Sequence, residues 1–311
     1  MKNIYPEYYS AFCCTASACG HTCCAGWEID VDKKTAARYK KVGGDMGKRL
    51  KSALSGGRQP HFILKADERC PFLNGDNLCD IILELGEESL CGICTDHPRF
   101  RTFMSDRTET GLGLCCEEAA RLLITLPALP RLAGEGQEKL SDDETAMLCA
   151  RSAVFRALAA QGSLDARLQA VLSRFGASMP GRSLGDWARV YLGLERMDGA
   201  WTELLTAALR DGDRADAALF DREFPEARQG YENLLWYFIY RHFPEALADG
   251  DAVSKLRFAA VSYELLHGLD ALVWAQTGKF DLAGRIDRAR LYSAEVEYSE
   301  ESMDALFDLL C

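Results

Sequence analysis

Residues 12–27 read FCCTASACGHTCCAGW, and this stretch decides how the first part of the chain folds. It places five cysteines within twelve positions, and eleven of the thirteen cysteines in the chain precede residue 117. Cysteine normally occurs as a scattered, small buried side chain, so packing alone does not account for this density. The N-terminal region therefore needs its thiols for a chemical purpose.

Metal binding is the purpose that the thiol pattern favours. Residues 1–10 are polar and aromatic and lack the apolar run of a secretory signal, so we expect a cytoplasmic chain with reduced thiols. Clustered cysteines in that compartment act as metal ligands or redox groups. Adjacent cysteines also bridge each other poorly. Disulfides and a reactive thiol remain the alternatives.

The spacing of the cysteines leans towards an iron–sulfur cluster. Structural zinc prefers two Cys-x-x-Cys knuckles, and only Cys91-Gly92-Ile93-Cys94 has that form. A [4Fe-4S] cluster is a larger object that tolerates looser spacing. Zinc remains the alternative metal, and the cysteines also suffice for two four-thiolate sites. The candidate ligands are Cys14, Cys19, Cys23, Cys24, Cys70, Cys79, Cys91, Cys94, Cys115 and Cys116.

Several ordered motifs within residues 5–120 resemble the flagellin lysine-N-methylase family. That family overlaps the cysteine-cluster proteins described as zinc- or iron-chelating. A weaker similarity continues from residues 231–234 through residues 243–244, so the resemblance extends over the whole chain. The motifs are Cys14-x4-Cys19-x3-Cys23-Cys24-x-Gly26-Trp27-x-Ile29, Cys70-Pro71-Phe72-Leu73 with Cys79, Glu84-Leu85-Gly86-Glu87-Glu88, Cys91-x-x-Cys94 and His97-Pro98-Arg99.

The resemblance implies methyl transfer to the ε-amine of surface lysines on flagellin or another lysine-bearing protein. It also implies S-adenosylmethionine as the donor and a [4Fe-4S] cluster held by the N-terminal cysteines. Radical enzymes that use this donor usually show Cys-x3-Cys-x2-Cys, whereas here Cys19-x3-Cys23 is followed by Gly26. This departure speaks against radical chemistry and leaves the metal unaffected. We expect Cys19, Cys23, Cys91 and Cys94 to belong to a first site.

Two other functions fit the same residues. One is a non-catalytic zinc- or iron-binding protein, either structural or a carrier, and the other is a redox protein.

The methylase interpretation requires a group that takes the proton of a lysine, for which Glu117, Glu118 and Asp96 are candidates. The sequence assigns no catalytic residue. We interpret His97 as a hydrogen-bonded loop residue rather than a ligand.

Composition excludes some classes of protein. The 311 residues carry a net charge of −11, which argues against general nucleic-acid binding, and no apolar run is long enough for a membrane helix. The charge is uneven, because residues 1–130 carry −1 and the remainder carries −10. The acidic region either recognises a partner protein or simply keeps the chain soluble.

The fold class that we predict is mainly α, with a cysteine-rich metal-binding module packed on an all-helical C-terminal region of about seven helices. The domains are 1–130 and 131–311, joined by a Pro- and Gly-rich linker over residues 127–137. Capping patterns at Ser141 and Ser183 open two helices. Residues 231–243 are apolar on all sides and predict a buried central helix. We expect Cys149 to lie in the core.

Residues 33–51 predict a basic helix that is interrupted at Gly43-Gly44. Its basic residues either face solvent or hold an anionic part of a donor or partner.

Overall fold

The computed structural model describes residues 2–134 and 139–311, and its secondary structure is mainly helical, which confirms the predicted fold class. Fifteen α-helices occur within these ranges. They are α1 (Lys33–Tyr39), α2 (Gly44–Ala53), α3 (Asp80–Leu85), α4 (Gly92–Asp96), α5 (Glu117–Ile124), α6 (Asp142–Leu158), α7 (Leu164–Arg174), α8 (Leu184–Leu192), α9 (Gly199–Asp211), α10 (Ala217–Glu223), α11 (Arg228–His242), α12 (Ala246–Asp249), α13 (Ala252–Thr277), α14 (Leu282–Tyr292) and α15 (Glu300–Leu310).

Four short strands form one sheet in the order β2-β3-β1-β4. They are β1 (Lys2–Pro6), β2 (Arg99–Phe103), β3 (Arg107–Leu112) and β4 (Leu132–Ala133). Strand β1 runs parallel to β3 and pairs Ile4 with Glu109, and it runs antiparallel to β4. A Cβ atom at Gly111 would lie 2.2 Å from the ring of Phe100, so only glycine allows this approach.

Internal contacts divide the chain into two units. The cysteine-rich unit comprises Cys13–Arg99 and Cys116–Glu118. The helical unit comprises the N-terminal residues through Phe12, Phe100–Cys115 and the described part of Ala119–Cys311. These units do not coincide with the domains 1–130 and 131–311, which stay a prediction. Residues 135–137 of the linker that we predicted lie outside the described residues.

Polar caps fix where the helices of the C-terminal region begin. The amide of Glu144 donates to the Ser141 hydroxyl at 3.2 Å, and the Glu144 carboxylate accepts from the Ser141 amide at 2.8 Å. A second capping box is formed by Ser183 and Asp186 at the start of α8. Both predicted helix starts are therefore confirmed. Ten α-helices follow residue 139 instead of about seven, since α10 and α12 are too short to show an apolar period.

The core of the helical unit forms around α11 and α13. Trp236, Tyr237 and Phe238 of α11 are at most 2% exposed, as the sequence predicted for a helix that is apolar on all sides. Helix α13 adds a buried stretch that includes Ala259 and Ala260. Among the helices of the described ranges, none combines the length and apolarity that crossing a membrane requires.

A buried ionic network surrounds Glu297, the last residue of the π-helix Ser293–Glu297 that follows α14. One carboxylate oxygen lies 2.7 Å from Nε2 of His242, and the other accepts from the Tyr237 hydroxyl at 3.1 Å. Arg241 lies 3.5 Å away. Burial by itself raises the pKa of Glu297, but Arg241 and His242 outweigh it and hold the pKa below its usual range.

Replacing Glu297 with alanine should destabilise the helical unit by about 3 kcal/mol or more, because Arg241 and His242 would remain buried without their shared carboxylate. Urea unfolding at pH 7 measures the effect, and exposed Glu203 on α9 provides the matched alanine control.

The same pair of proteins gives a pH test. Since the folded pKa of Glu297 is lowered, its stabilisation is complete above the unfolded value of about 4.3 and is lost as the pH falls through the folded pKa. The difference between wild type and variant should therefore shrink in acid. A difference below about 1 kcal/mol at pH 7 would contradict the role given to Glu297.

Candidate metal centre

Asp32 connects α1 to the Cys-x-x-Cys knuckle. One carboxylate oxygen caps α1 by accepting from the Thr35 amide at 2.9 Å, and the other accepts from the Gly92 amide at 3.1 Å. The bond from the Thr35 amide is the largest cause that lowers the pKa of Asp32, and the Gly92 amide adds to it. Asp32 thus fixes the first turn of α4, on which Cys91 and Cys94 lie.

Basic and aromatic residues of α1 hold the loop that precedes the knuckle. The Arg38 guanidinium donates to the carbonyl of Glu88 at 2.7 Å, and the Tyr39 hydroxyl donates to the carbonyl of Ser89 at 2.8 Å. On α2, Arg49 pairs with Asp80 at 2.5 Å. These members of the basic segment therefore stabilise the unit itself. The segment is also interrupted between α1 and α2, as the glycine pair predicted.

A tight turn folds the chain between Cys70 and Cys79 back on itself. The Asn74 amide donates to the carbonyl of Leu78 at 3.0 Å, and Leu73 forms an antiparallel bridge with Cys79. This confirms the turn that Asn74-Gly75 predicted. The Cys70 amide also donates to the carbonyl of Cys24 at 2.7 Å, which ties the first cysteine stretch to the turn.

These elements gather five thiols, which we call the core thiol group: Cys24, Cys70, Cys79, Cys91 and Cys94. Cys70 and Cys91 belong to the apolar core of the unit, and the other three pack against it. The sulfur atoms of Cys91 and Cys94 lie 3.5 Å apart. Their hydrogen bond lowers the pKa of Cys91 and raises that of Cys94, so the pair shares a proton. Burial raises the pKa of Cys70 to about 12.

A second set, the rim thiol group, consists of Cys14, Cys23 and Cys116. A hydrogen bond with Cys24 and burial raise the pKa of Cys23, and the charges of Cys24, Cys14 and Cys116 act in the same direction. The same hydrogen bond lowers the pKa of Cys24 to about 7. Cys24 therefore links the two groups.

Glu117 holds the loop that carries Cys19. Its Oε2 atom accepts from the Gly20 amide at 2.8 Å and lies 3.6 Å from the Cys19 sulfur. Glu117, one of the three acidic candidates, thus has its carboxylate against a predicted ligand. The remaining predicted ligand, Cys115, belongs to the helical unit, where its thiol bonds to the Tyr298 hydroxyl.

The structure thus arranges predicted cysteines as two groups that meet at Cys24. Cys23 lies in the rim thiol group, Cys91 and Cys94 lie in the core thiol group, and Cys19 lies against Glu117. That these four residues form a first site stays a prediction. All thirteen cysteines are free thiols. The expectation that Cys149 lies in the core is wrong, because its position on α6 exposes it to solvent.

The donor chemistry of the core thiol group fits a soft metal or a cluster. Thiolates are soft ligands, and their removal from water is compensated when a metal replaces the protons. Across residues 2–134 and 139–311, no three thiol sulfurs lie within 4.8 Å of one another. In a closed tetrahedral zinc site, by contrast, the thiolates are about 3.8 Å apart. Which metal or cluster the thiols hold stays a prediction.

A ring nitrogen of His97 is also suited to binding a metal. Its Nε2 atom is buried and has no hydrogen-bond partner among the described residues, and burial lowers the pKa of the ring. The hydrogen bond that we expected for this loop histidine is not found at Nε2. A neutral imidazole nitrogen without a partner is available to a metal.

Sequence reasoning missed one polar cluster. Carboxylate oxygens of Glu28 and Asp30 and a ring nitrogen of His61 lie within 4.8 Å of one another. An antiparallel bridge between Asp30 and His61 creates the cluster. The alternation in residues 27–32 and the apolar stretch after His61 were visible in the sequence, but nothing indicated that the two segments pair.

The fold and the thiol groups define a mainly helical protein with a separate cysteine-rich unit. A family model described as the FliB lysine N-methylase C-terminal domain matches residues 137–310, more than half of the chain. The chain belongs to this family, as the motifs of residues 5–120 predicted.

Named relatives agree with the family. The protein named Lysine-N-methylase from Salmonella choleraesuis is 28% identical over 144 residues, which cover 41% of this chain and 34% of that relative. The protein named Flagellar biosynthetic protein FliU from Salmonella muenchen is 28% identical over 150 residues, which cover 41% of this chain and 81% of FliU. The chain thus spans about a third of the length of the named lysine-N-methylase. No solved structure matches the chain.

Replacing Asp32 with alanine should loosen both α1 and the knuckle, because one side chain serves the Thr35 and Gly92 amides. Loss of a helix cap costs about 1 kcal/mol. Amide hydrogen exchange at Thr35 and Gly92 should accelerate together. Exposed Asp45, in the first turn of α2, is the control and should leave both amides unchanged when it is replaced. Unchanged exchange at Gly92 in the Asp32 variant would contradict the proposed connection.

Proposed function

We propose that this protein is a lysine N-methyltransferase that uses S-adenosylmethionine and a [4Fe-4S] cluster and acts on flagellin. Membership of the FliB lysine N-methylase family carries the proposal. The names of the relatives, one a lysine-N-methylase and one a flagellar biosynthetic protein, support the reaction and the substrate. The two thiol groups support a metal centre.

We assign the cluster to the core thiol group, with three of the four thiols Cys70, Cys79, Cys91 and Cys94 as ligands, so that one iron of the cluster would carry no thiolate. These four thiols line one apolar core, and Cys91 already has a lowered pKa, which favours the thiolate that a metal requires. When bound, such a cluster would supply an iron without a thiolate ligand, to which the amine and carboxylate of the donor would bind. The rim thiol group is a second set of soft ligands.

The protein's own residues must handle the proton of the substrate lysine. A lysine has an ordinary pKa near 10.4, so its ammonium has to lose a proton before the nitrogen attacks. The nitrogen then forms a bond to the methyl carbon while the bond from that carbon to the donor sulfur breaks. S-adenosylhomocysteine leaves, and the released proton passes to a carboxylate or to water. Carboxylates of the cysteine-rich unit are the acceptors that the chain offers.

Replacing Cys91 or Cys94 with serine should remove most of the bound iron from protein purified without oxygen. Iron and acid-labile sulfide analysis measures this, with about four of each expected for the wild type. Replacing the exposed Cys149 is the control and should change nothing. Replacing Cys23 tests the assignment to groups, because iron retained in that variant supports a cluster in the core thiol group. Normal iron in both knuckle variants would overturn the assignment.

The activity is tested with holo-protein, S-adenosylmethionine labelled in its methyl group, and purified flagellin. Mass spectrometry should find label on flagellin lysines, and the Cys91→Ser variant should transfer at least about tenfold less because the donor loses its anchor. Flagellin in which the labelled lysines are replaced by arginine is the substrate control. If wild-type protein carries stoichiometric zinc, contains no sulfide and transfers no methyl group, it is a structural or carrier protein instead.

A further inference from the structure

A cavity of about 400 Å³ opens two residues beyond the backbone hydrogen bond from the Cys70 amide to the Cys24 carbonyl. Its wall is formed by Gly26, Trp27, Glu28, Glu68 and residues 61–64. The Gly26 amide donates to the carbonyl of Glu68 at 3.1 Å, two residues from the bond between Cys70 and Cys24. The cavity therefore begins two residues from a member of the core thiol group. Its volume lies within the range of ligand sites.

The residues that line the cavity divide into an apolar set and an acidic set. Trp27, Phe62 and Leu64 are apolar, and Glu28 and Glu68 bring carboxylates. The carboxylate of Asp30 lies beside that of Glu28. A side chain with an apolar stem and a cationic end fits this division, because the stem buries apolar area while the charge meets the carboxylates.

The carboxylates of Glu28 and Asp30 have no cationic partner of their own. Within the described part of the chain, neither carboxylate forms an ion pair with a lysine or arginine, although arginines of the same unit pair with Asp67 and Asp80. The only ionic neighbour of Glu28 there is His61, at 3.6 Å. Two adjacent carboxylates repel each other until a cation lies between them.

The spacing of these acceptors suits an ammonium group. An ammonium nitrogen has three N–H donors, and hydrogen bonds of ordinary length reach acceptors that are about 4.6 Å apart. The acceptor atoms of Glu28, Asp30 and His61 lie within 4.8 Å of one another. The Ser55 hydroxyl, 3.0 Å from Nδ1 of His61, holds the ring at the edge of this set.

We infer that this cavity, with Trp27, Glu28, Asp30 and His61, binds the side chain of the substrate lysine. The inference rests on the proposed function, since it gives that reaction its acceptor site. The four-carbon stem lies along Trp27 and Leu64, and the ammonium donates to Glu28 and Asp30. Arginine fits less well, because its planar fork does not match acceptors that surround one point.

The test uses full-length holo-protein and two probes that differ only in the amine: Nα-acetyl-lysine methylamide and Nα-acetyl-norleucine methylamide. Saturation-transfer NMR should show the lysine probe binding at least about tenfold tighter than the norleucine probe. The double variant Glu28→Gln and Asp30→Asn should weaken the lysine probe about tenfold and leave the norleucine probe unchanged. Both positions are exposed, so the fold should persist, and circular dichroism checks this.

The matched control replaces two exposed carboxylates of the same unit outside the cavity, Asp76→Asn and Glu87→Gln. This control removes the same charge and should retain the full affinity for lysine. If both double variants bind the lysine probe equally weakly, the effect reflects the net charge of the protein rather than the cavity, and the inference is overturned. Equal binding of the two probes to the wild type would also overturn it. So would zinc or manganese binding that depends on Glu28 and Asp30 and excludes the lysine probe.

Failure of the inference is distinguishable from failure of the proposed function, because probe binding is measured without the donor. If the lysine probe binds through Glu28 and Asp30 but no methyl group is transferred to flagellin, the lysine site is supported and the proposed reaction is contradicted. If the wild type methylates flagellin and the double variant does so with an unchanged KM, the proposed reaction is supported and the lysine site is contradicted.

Discussion

The cysteine-rich unit depends on the burial of thiols against a small apolar core. Twelve buried residues form this core, and two of them, Cys70 and Cys91, are themselves thiols. Burial raises the pKa of Cys70 and Cys79, so these thiols keep their protons while no metal replaces them. Thiolate formation, metal binding and folding are therefore parts of one equilibrium in this unit. The contacts of Asp32, Arg38 and Tyr39 fix the loops on which that equilibrium acts.

The helical unit is built on a different constraint, the pairing of buried charges between helices. Glu297 meets His242 and Tyr237 of α11, and Asp270 of α13 forms ion pairs with Arg285 and Arg288 of α14. Breaking such a pair leaves a buried charge without compensation, so each one specifies which helices lie together. The Tyr237 hydroxyl also accepts from the Leu114 amide at 3.3 Å, so this network reaches the residue before Cys115. The buried charges that stabilise the helical unit thus adjoin Cys115, one of the predicted ligands.

Local signals in the sequence predicted the helices well. Ser141 and Ser183 marked helix starts, because a cap is made by residues three positions apart. Long-range pairing was not predictable: β1 pairs with β3 across about a hundred residues, and Asp30 reaches His61 through an isolated bridge. The cysteine spacing indicated a metal centre, but the division into two thiol groups depends on the turn at Asn74 and the bond from Cys70 to Cys24. The prediction that Cys149 lies in the core was wrong because α6 exposes the face on which this residue lies.

The two parts of the chain carry different kinds of information about function. The family model matches residues 137–310, where buried aromatic residues and ion pairs dominate, and such residues specify a fold. Eleven of the thirteen thiols, the groups suited to metal binding, occur before residue 117. A family match on the helices therefore says which scaffold the chain has, while the chemistry has to be argued from the cysteine-rich unit. Glu28 and Asp30 matter for that reason, because they give this unit two neighbouring carboxylates that pair with no lysine or arginine of the described residues.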